Sequence, residues 1–238
     1  MINKKDTMRK IILLSCLISG PNVIACVFCN PEVRAGIHDS TFYPNLLKIF
    51  SAFIVLAVVV GLLVFIAIKN FAKHTPLNSN TIIASPVPLI TASMVLGIGL
   101  GGFIDGIVFH QILQWHEMLS NVIPATDYIG KSINMFWDGI FHAFCLMIVI
   151  IGIVLLWKIM QKRTADTSGK LFIGGLLSGW GLFNIIEGLI NHHLLQLHDV
   201  MEFSLQPHIG NWIFLGSSII LLVVGYIVIK SANKLRIN

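Results

Sequence analysis

Charge is what this chain has least of. Asp, Glu, Lys and Arg make up 11% of its 238 residues, against roughly 25% in an ordinary soluble domain. Hydrophobic residues make up 55%. This composition excludes a domain that folds by collapse from water and fits spans surrounded by lipid and neighbouring helices. The net charge of +5 does not point to nucleic acid, because the basic residues sit in short loops, where they report membrane orientation. Established catalytic patterns are also missing. There is no HExxH, the helical zinc motif of metalloproteases. No Ser/His/Asp arrangement stands out, and Ser and Thr are few near the acids of the later spans. Polar groups cluster at one face alone, which leaves no polar track for a transporter.

The apolar runs come next. Lys4, Lys5, Arg9 and Lys10 precede a short run, Ile11–Leu17, that ends near Ile24-Ala25. A basic n-region and a short h-region read as a signal peptide, residues 1–25. Val23-Ile24-Ala25-Cys26 also resembles a lipobox, which would make Cys26 a lipidated N-terminus. Five later stretches reach the ~20 residues that a bilayer core needs: about 46–68, 88–112, 134–157, 171–192 and 210–229. Lys and Arg follow the first, third and fifth, whereas the loops 113–133 and 193–209 hold only Lys131. The basic-residue rule places the Lys/Arg loops and the C-terminus in the cytoplasm. Segment 26–45 and the two poor loops then face outside a bacterial inner membrane.

A repeat gives these spans chemistry. Residues 99–118, GLGGFIDGIVFHQILQWHEM, align without a gap on residues 181–200, GLFNIIEGLINHHLLQLHDV, at an offset of 82. Asp105 matches Glu187, His110 matches His192, Gln114 matches Gln196, His116 matches His198, and Glu117 matches Asp199. Agreement at polar positions is not what apolar composition alone produces. Acids and histidines in a membrane are costly, and they mark functional sites by default. The copies lie two spans apart, so they run parallel, as in membrane proteins built from repeats about an axis along the membrane normal. The unit is a helical hairpin. Its second helices align only faintly, with Asn134 on Asn211 and Gly139 on Gly216, so that Leu215 matches Asp138.

Helix geometry sets which of these residues cooperate. Asp138 and His142 are i,i+4 and share a face. Asp105 and His110 are i,i+5, about 140° apart on a straight α-helix, so they do not chelate one ion there. Asp105 and His116 are ~16 Å apart along the axis, so they bind one atom only if the helix ends between them. The expected ligand set is therefore His110, Asp138, His142 and His192 from different helices. Asp105 and Glu187 lie one layer deeper, and His116, His193 and His198 sit at or beyond the helix ends. Imidazole and carboxylate together suit copper, iron or zinc. For each residue taken singly, interhelical hydrogen bonding is the plain alternative.

The segments GFIDGIVFHQILQWHEMLS, NMFWDGIFHAF and GWGLFNIIEGLINHHLLQLHDV resemble the signatures of an uncharacterised bacterial membrane family, the domain of unknown function two-two-four-three. The resemblance spans about 88–230 and implies a four-helix membrane unit. The N-terminal CVFCNPEVRAGIHDSTFYPNLLKIFSAFIVL resembles small exported single-span proteins, so the chain reads as a fusion.

Other readings stay open. His110 and His192 occupy equivalent positions and would serve as axial ligands of a b-type haem, with Gly99, Gly101, Gly102, Gly179 and Gly181 making room, or as part of a quinol site. Those glycines equally suit close helix packing. Cys26 and Cys29 form an exported CxxC, a redox pair or soft-metal handle, which suggests a metal-delivery or assembly factor. Cys145 reads as packing. The expectation is an all-α membrane protein: a four-helix transmembrane bundle from two parallel repeated hairpins (88–230) plus one N-terminal transmembrane helix (46–68). A cytoplasmic linker spans 69–87 and a cytoplasmic tail 231–238. Expected partners are membrane lipid and either a homodimer mate or a respiratory or metal-handling membrane protein, without nucleic acid.

Overall fold

The computed structural model describes residues 30–38, 42–71, 74–78, 81–162 and 166–237. Apolar stretches in a bilayer satisfy their backbone internally, so they form helices. Helix α1 is Pro31–His38 and α2 is Phe42–Asn70. Two short antiparallel strands follow in the linker, β1 (His74–Asn78) and β2 (Thr81–Ala84), with His74 opposite Ala84. Helix α3 (Val87–Ile104) runs directly into a π-helical segment, π1 (Asp105–Ile112). Helix α4 is Tyr128–Met160. Helix α5 (Gly169–Glu187) runs into π2 (Gly188–Leu194), and α6 is Pro207–Ile237.

Five helices are long and apolar enough to cross a membrane: Leu46–Asn70, Val87–Ile112, Tyr128–Met160, Gly169–Leu194 and Pro207–Asn233. They contain the five expected spans. The third begins earlier than expected because Asp127 caps it, accepting a hydrogen bond from Gly130 N at 2.7 Å. Ser168 caps α5 in the same way, accepting from Leu171 N. A side-chain oxygen on the first free N–H groups fixes where a helix starts.

Helices α3 and α5 pack on each other at the centre, and each packs on its hairpin partner, α4 or α6. Missing side chains set the first contact. A Cβ on Gly97 would overlap Leu176 O, and a Cβ on Gly179 would overlap Met94 O. Under the 82-residue shift these two contacts are one contact, made twice. Small residues let transmembrane backbones approach this closely.

The hairpin contacts correct the expected register of the second helices. A Cβ on Gly99 would meet Val149 N at 2.9 Å and Cys145 O at 3.1 Å. A Cβ on Gly181 would meet Leu222 N and Ser218 O, both at 2.8 Å. Cys145 therefore corresponds to Ser218 and Val149 to Leu222, a shift of 73 residues. The Asn134/Asn211 alignment is one helical turn out. In space Asp138 corresponds to Asn211, Phe141 to Phe214, and His142 to Leu215.

Helix α2 lies across α3 and also touches α4 and α5. Phe53 packs edge-on to Phe144 and tilted against Phe141, and Phe50 meets Trp137. This places Ala52, Phe53 and Leu56 over the polar end of the bundle.

Candidate metal centre

The two π segments change the geometry that a straight α-helix dictates. Leu113 N donates to Val108 O and Leu195 N to Ile190 O, both i→i+5 and both 2.8 Å. In a π-turn residues five apart come into line. Asp105 and His110 therefore face each other, with Oδ2 3.3 Å from Nε2. The expectation that they diverge is overturned by this local winding. The same winding sets Glu187 Oε1 3.0 Å from His192 Nε2.

The chain then breaks. Gln114 and Gln196 adopt φ of 49° and 50°, the left-handed region that costs a non-glycine residue about 1–2 kcal/mol. Trp115 N reaches back to Phe109 O at 2.9 Å, and Leu197 N to Asn191 O at 2.8 Å. The reversal folds His116 and His198 back under the helix ends. The helix does end between the acid and the second histidine, so the ~16 Å separation of a continuous helix does not arise.

Four imidazoles consequently meet. The ring centroids are 4.4 Å apart for His110 and His116, 4.7 Å for His192 and His198, and 4.8 Å for the parallel pair His116 and His198. All four residues are at most 2% exposed, and Asp105 and Glu187 are 3% exposed. Two sets each bring one ligand atom per residue within 4.8 Å of one another: His110, His116 and His198, and Glu187, His192 and His198.

Hydrogen bonds fix the tautomers. His116 Nδ1 lies 2.9 Å from Val200 O, and His198 Nδ1 lies 3.0 Å from Met118 O. A carbonyl only accepts, so both Nδ1 atoms carry the proton. In a neutral ring Nε2 then presents a lone pair. His116 Nε2 has no partner, and His198 Nε2 points at Glu187 Oε1, 3.0 Å away. His110 Nδ1 lies 2.8 Å from Asp138 Oδ1, which also accepts from Met118 N at 3.1 Å. Gln111 Nε2 donates to the other oxygen of Asp138. Asp105 Oδ1, Glu187 Oε2 and both ring nitrogens of His192 lack a hydrogen bond and are buried. Burial, then the neighbouring His110, His198 and His192, hold the His116 imidazole well below the usual histidine range. Burial likewise lowers His198, against the opposing pull of Glu187.

Of the expected ligand set, the structure brings His110 and His192 to the centre. It puts His116 and His198 beside them, in place of Asp138 and His142. Asp138 stands behind His110, on its Nδ1. His142 Nδ1 turns to its own helix at Asp138 O, 2.7 Å, and its ring stacks on Phe103. His193 faces Trp212 at 4.5 Å. Cys26 and Cys29 lie outside the described residues, as does the expected signal peptide.

Sequence reasoning passed over a polar layer beside the centre. Asn134 Oδ1 accepts from Leu119 N at 2.8 Å, and Asn211 Oδ1 accepts from Val200 N at 2.9 Å. Asn211 also donates to Asp199 at 2.6 Å. Lys131 pairs with Glu117, and Ser120 Oγ meets Glu202. Burial pushes the Glu117 carboxyl up despite Lys131. Burial, then the charge of Glu117, pushes Glu202 up to about 7. The cue for this layer was an acid directly after the second histidine of each repeat, Glu117 and Asp199, and an asparagine early in the helix that follows, Asn134 and Asn211.

The space beside the histidines is small. A cavity of about 10 Å³ is lined by Asp105, His110 and His198 and by Ala52, Phe53 and Leu56 of α2. That is near the minimum that admits one water. The five glycines that would seat a macrocycle are occupied by neighbours. A Cβ on Gly101 would meet Trp180 at 2.6 Å, and one on Gly102 would overlap Cys145 Sγ.

Residues 92–232 match a family described as a predicted membrane protein, DUF2243, in accord with the resemblance read over 88–230. No curated protein and no solved structure matches the chain.

Proposed function

The chain belongs to the DUF2243 family of predicted membrane proteins, and we propose that it carries a membrane-embedded transition-metal centre of redox type. The centre is built from His110, His116, His192 and His198 with Asp105 and Glu187. The carrying observation is the approach of His198 Nε2 to Glu187 Oε1, 3.0 Å, with Nδ1 committed to Met118 O. A lone pair facing a carboxylate is repulsive without a cation between them. A proton on Nε2 is opposed by burial.

The charge balance supports the same reading. Asp105, Asp138 and Glu187 are each at most 3% exposed, and their ion pairs among the described residues are to histidine alone. Buried carboxylates without a full counter-charge cost several kcal/mol each. A divalent ion supplies the charge, and imidazole with carboxylate suits iron, copper or zinc. The Nδ1 partners on Val200, Met118 and Asp138 are the outer hydrogen bonds that orient ligating histidines.

Retention fits better than delivery. A delivery factor needs ligands that a partner can reach, and these are buried under α2. The small space beside the histidines favours bare ions over haem. The Lys/Arg distribution supports a centre on the outer side of a bacterial inner membrane. When bound, a redox-active ion would supply one-electron chemistry. The protein's part is to fix four imidazoles and exclude water.

The test is metal analysis by mass spectrometry, with a redox titration, on the detergent-purified full chain and on a His116→Ala, His198→Ala double variant. Near-stoichiometric iron or copper, lost in the variant and showing a reversible potential, is expected. Zinc alone removes the redox role. A metal-free protein that takes up none of the three ions overturns the centre.

A further inference from the structure

The geometry points to two ions rather than one, each held by the carboxylate and two histidines of a single repeat: Asp105, His110 and His116 for one, and Glu187, His192 and His198 for the other. This rests on the metal reading above and deepens it by giving the number of ions and the partition of ligands.

Three observations carry it. The first is donor arithmetic. His198 belongs to both compact ligand sets, yet with Nδ1 donating to Met118 O it has one free lone pair, on Nε2. One nitrogen lone pair serves one ion. His198 Nε2 is 3.0 Å from Glu187 Oε1, and His192 Nε2 is 3.0 Å from the same oxygen. This assigns His198 to the Glu187 set and leaves His110 and His116 for the other.

The second is spacing. Histidine rings within a repeat are 4.4 and 4.7 Å apart. The crossed pairs, His110 with His198 and His116 with His192, are 5.7 and 5.8 Å apart. Each ring's nearest histidine neighbour is thus its partner in the same repeat, with His116 and His198 only slightly farther apart across the repeats, 4.8 Å. Asp105 Oδ2 lies 3.3 Å from His110 Nε2 and joins the first set through that residue. The parallel stack of His116 on His198 forms the seam between the sets.

The third is unused capacity. Both halves hold buried atoms without a hydrogen bond: Asp105 Oδ1, His110 Nε2 and His116 Nε2 in one, and Glu187 Oε2 and both nitrogens of His192 in the other. A single ion would leave one half's donors buried and unmatched, which is costly. Two histidines and one carboxylate per ion is a donor set suited to divalent iron and its neighbours, with further coordination positions left open.

The experiment loads the chelator-treated full chain, in detergent, with Co²⁺ alone. It counts cobalt per chain by mass spectrometry and records the electron paramagnetic resonance spectrum. Two cobalt ions per chain with a spin-coupled spectrum are expected. His192→Gln and His110→Gln should each lower the count from two to one and restore an uncoupled signal. One ion per wild-type chain overturns the two-ion centre and leaves the metal reading standing; none overturns both. Two ions that are uncoupled, and that neither variant reduces, also overturn it. Where a variant fails to fold, the wild-type count and coupling decide alone.

Discussion

His116 and His198 bind the two repeats to each other reciprocally. His116 donates to Val200 O at 2.9 Å, and His198 donates to Met118 O at 3.0 Å. Met118 and Val200 are themselves equivalent under the 82-residue shift, so each repeat caps a carbonyl of the other. Both carbonyl residues are buried. His116→Phe or His198→Phe keeps a ring in place but strands one acceptor. The metal-free protein should lose about 1–3 kcal/mol of stability for each change. Denaturant unfolding in detergent measures this apart from any effect of metal.

The α3–α5 seam makes a separate prediction. Gly97→Ala and Gly179→Ala each drive a methyl group into a backbone carbonyl of the facing helix. Overpacking of this kind costs about 1–3 kcal/mol, and opening the seam also spreads the histidines. At Gly139 and Gly216 an added methyl group would meet nothing within 4 Å, and alanine there should be neutral or gain up to ~1 kcal/mol. Thermal unfolding midpoints of the four variants should fall into these two groups.

The glutamine reversals carry the histidines. Gln114 and Gln196 hold left-handed backbone at φ 49° and 50°. Valine is β-branched and resists that region. Gln114→Val and Gln196→Val should each destabilise the chain by about 1–3 kcal/mol and reduce metal retention. Glycine at either position should retain the site. Metal content and unfolding midpoint, read on the same preparations, test both statements.

Much of this centre is legible in the sequence, and most of what is not comes from local backbone winding. The offset of 82 exposes all six central side chains, because it matches acids and histidines rather than apolar residues. The expected grouping differs from the one the structure shows because a straight α-helix sets Asp105 and His110 apart, and because the Gln114 and Gln196 reversals bring His116 and His198 in. The five-residue acid-to-histidine spacing occurs in both copies, and that coincidence is the available sign of a π-turn. No residue preference announces the glutamine reversal, since glycine would be the expected residue there. The register of α4 against α6 fails for another reason. Asn134 and Asn211 both cap backbone N–H groups near the site, but on successive residues, Leu119 and Val200 in their own copies, so matching them slips the helix by a turn.

Glu202, outside the proposed ligand set, gives a pH dependence. Ser120 and the charges of Glu117 and Asp199 face it. Its carboxyl rises from an ordinary 4.5 to about 7 through burial and then the Glu117 charge. Between those values the folded chain holds a proton that the unfolded chain has lost. Its contribution to stability is therefore complete below about 4.5 and falls away as pH rises through about 7. Glu202→Gln removes the titration. The difference in unfolding midpoint, variant minus wild type, should climb across this window and level off above it. A flat difference would show that Glu202 does not titrate there.

Asp138 is the sharpest difference between the two halves. It holds His110 Nδ1 at 2.8 Å and Met118 N at 3.1 Å. Its counterpart Asn211 holds Val200 N at 2.9 Å and turns its amide to Asp199. An amide therefore already performs the backbone duty at this position, and Asp138→Asn should keep the fold, with metal-free stability within about 1 kcal/mol. The carboxylate's other duty is to orient the His110 ring from behind through Nδ1, and an amide does this poorly. Loss of such an outer partner typically weakens metal affinity about 10–100-fold. Chelator competition on Asp138→Asn should show that loss while the metal-free unfolding midpoint holds. A parallel fall in both would make Asp138 a structural residue alone. Unchanged affinity would mean that His110 needs no charge behind it.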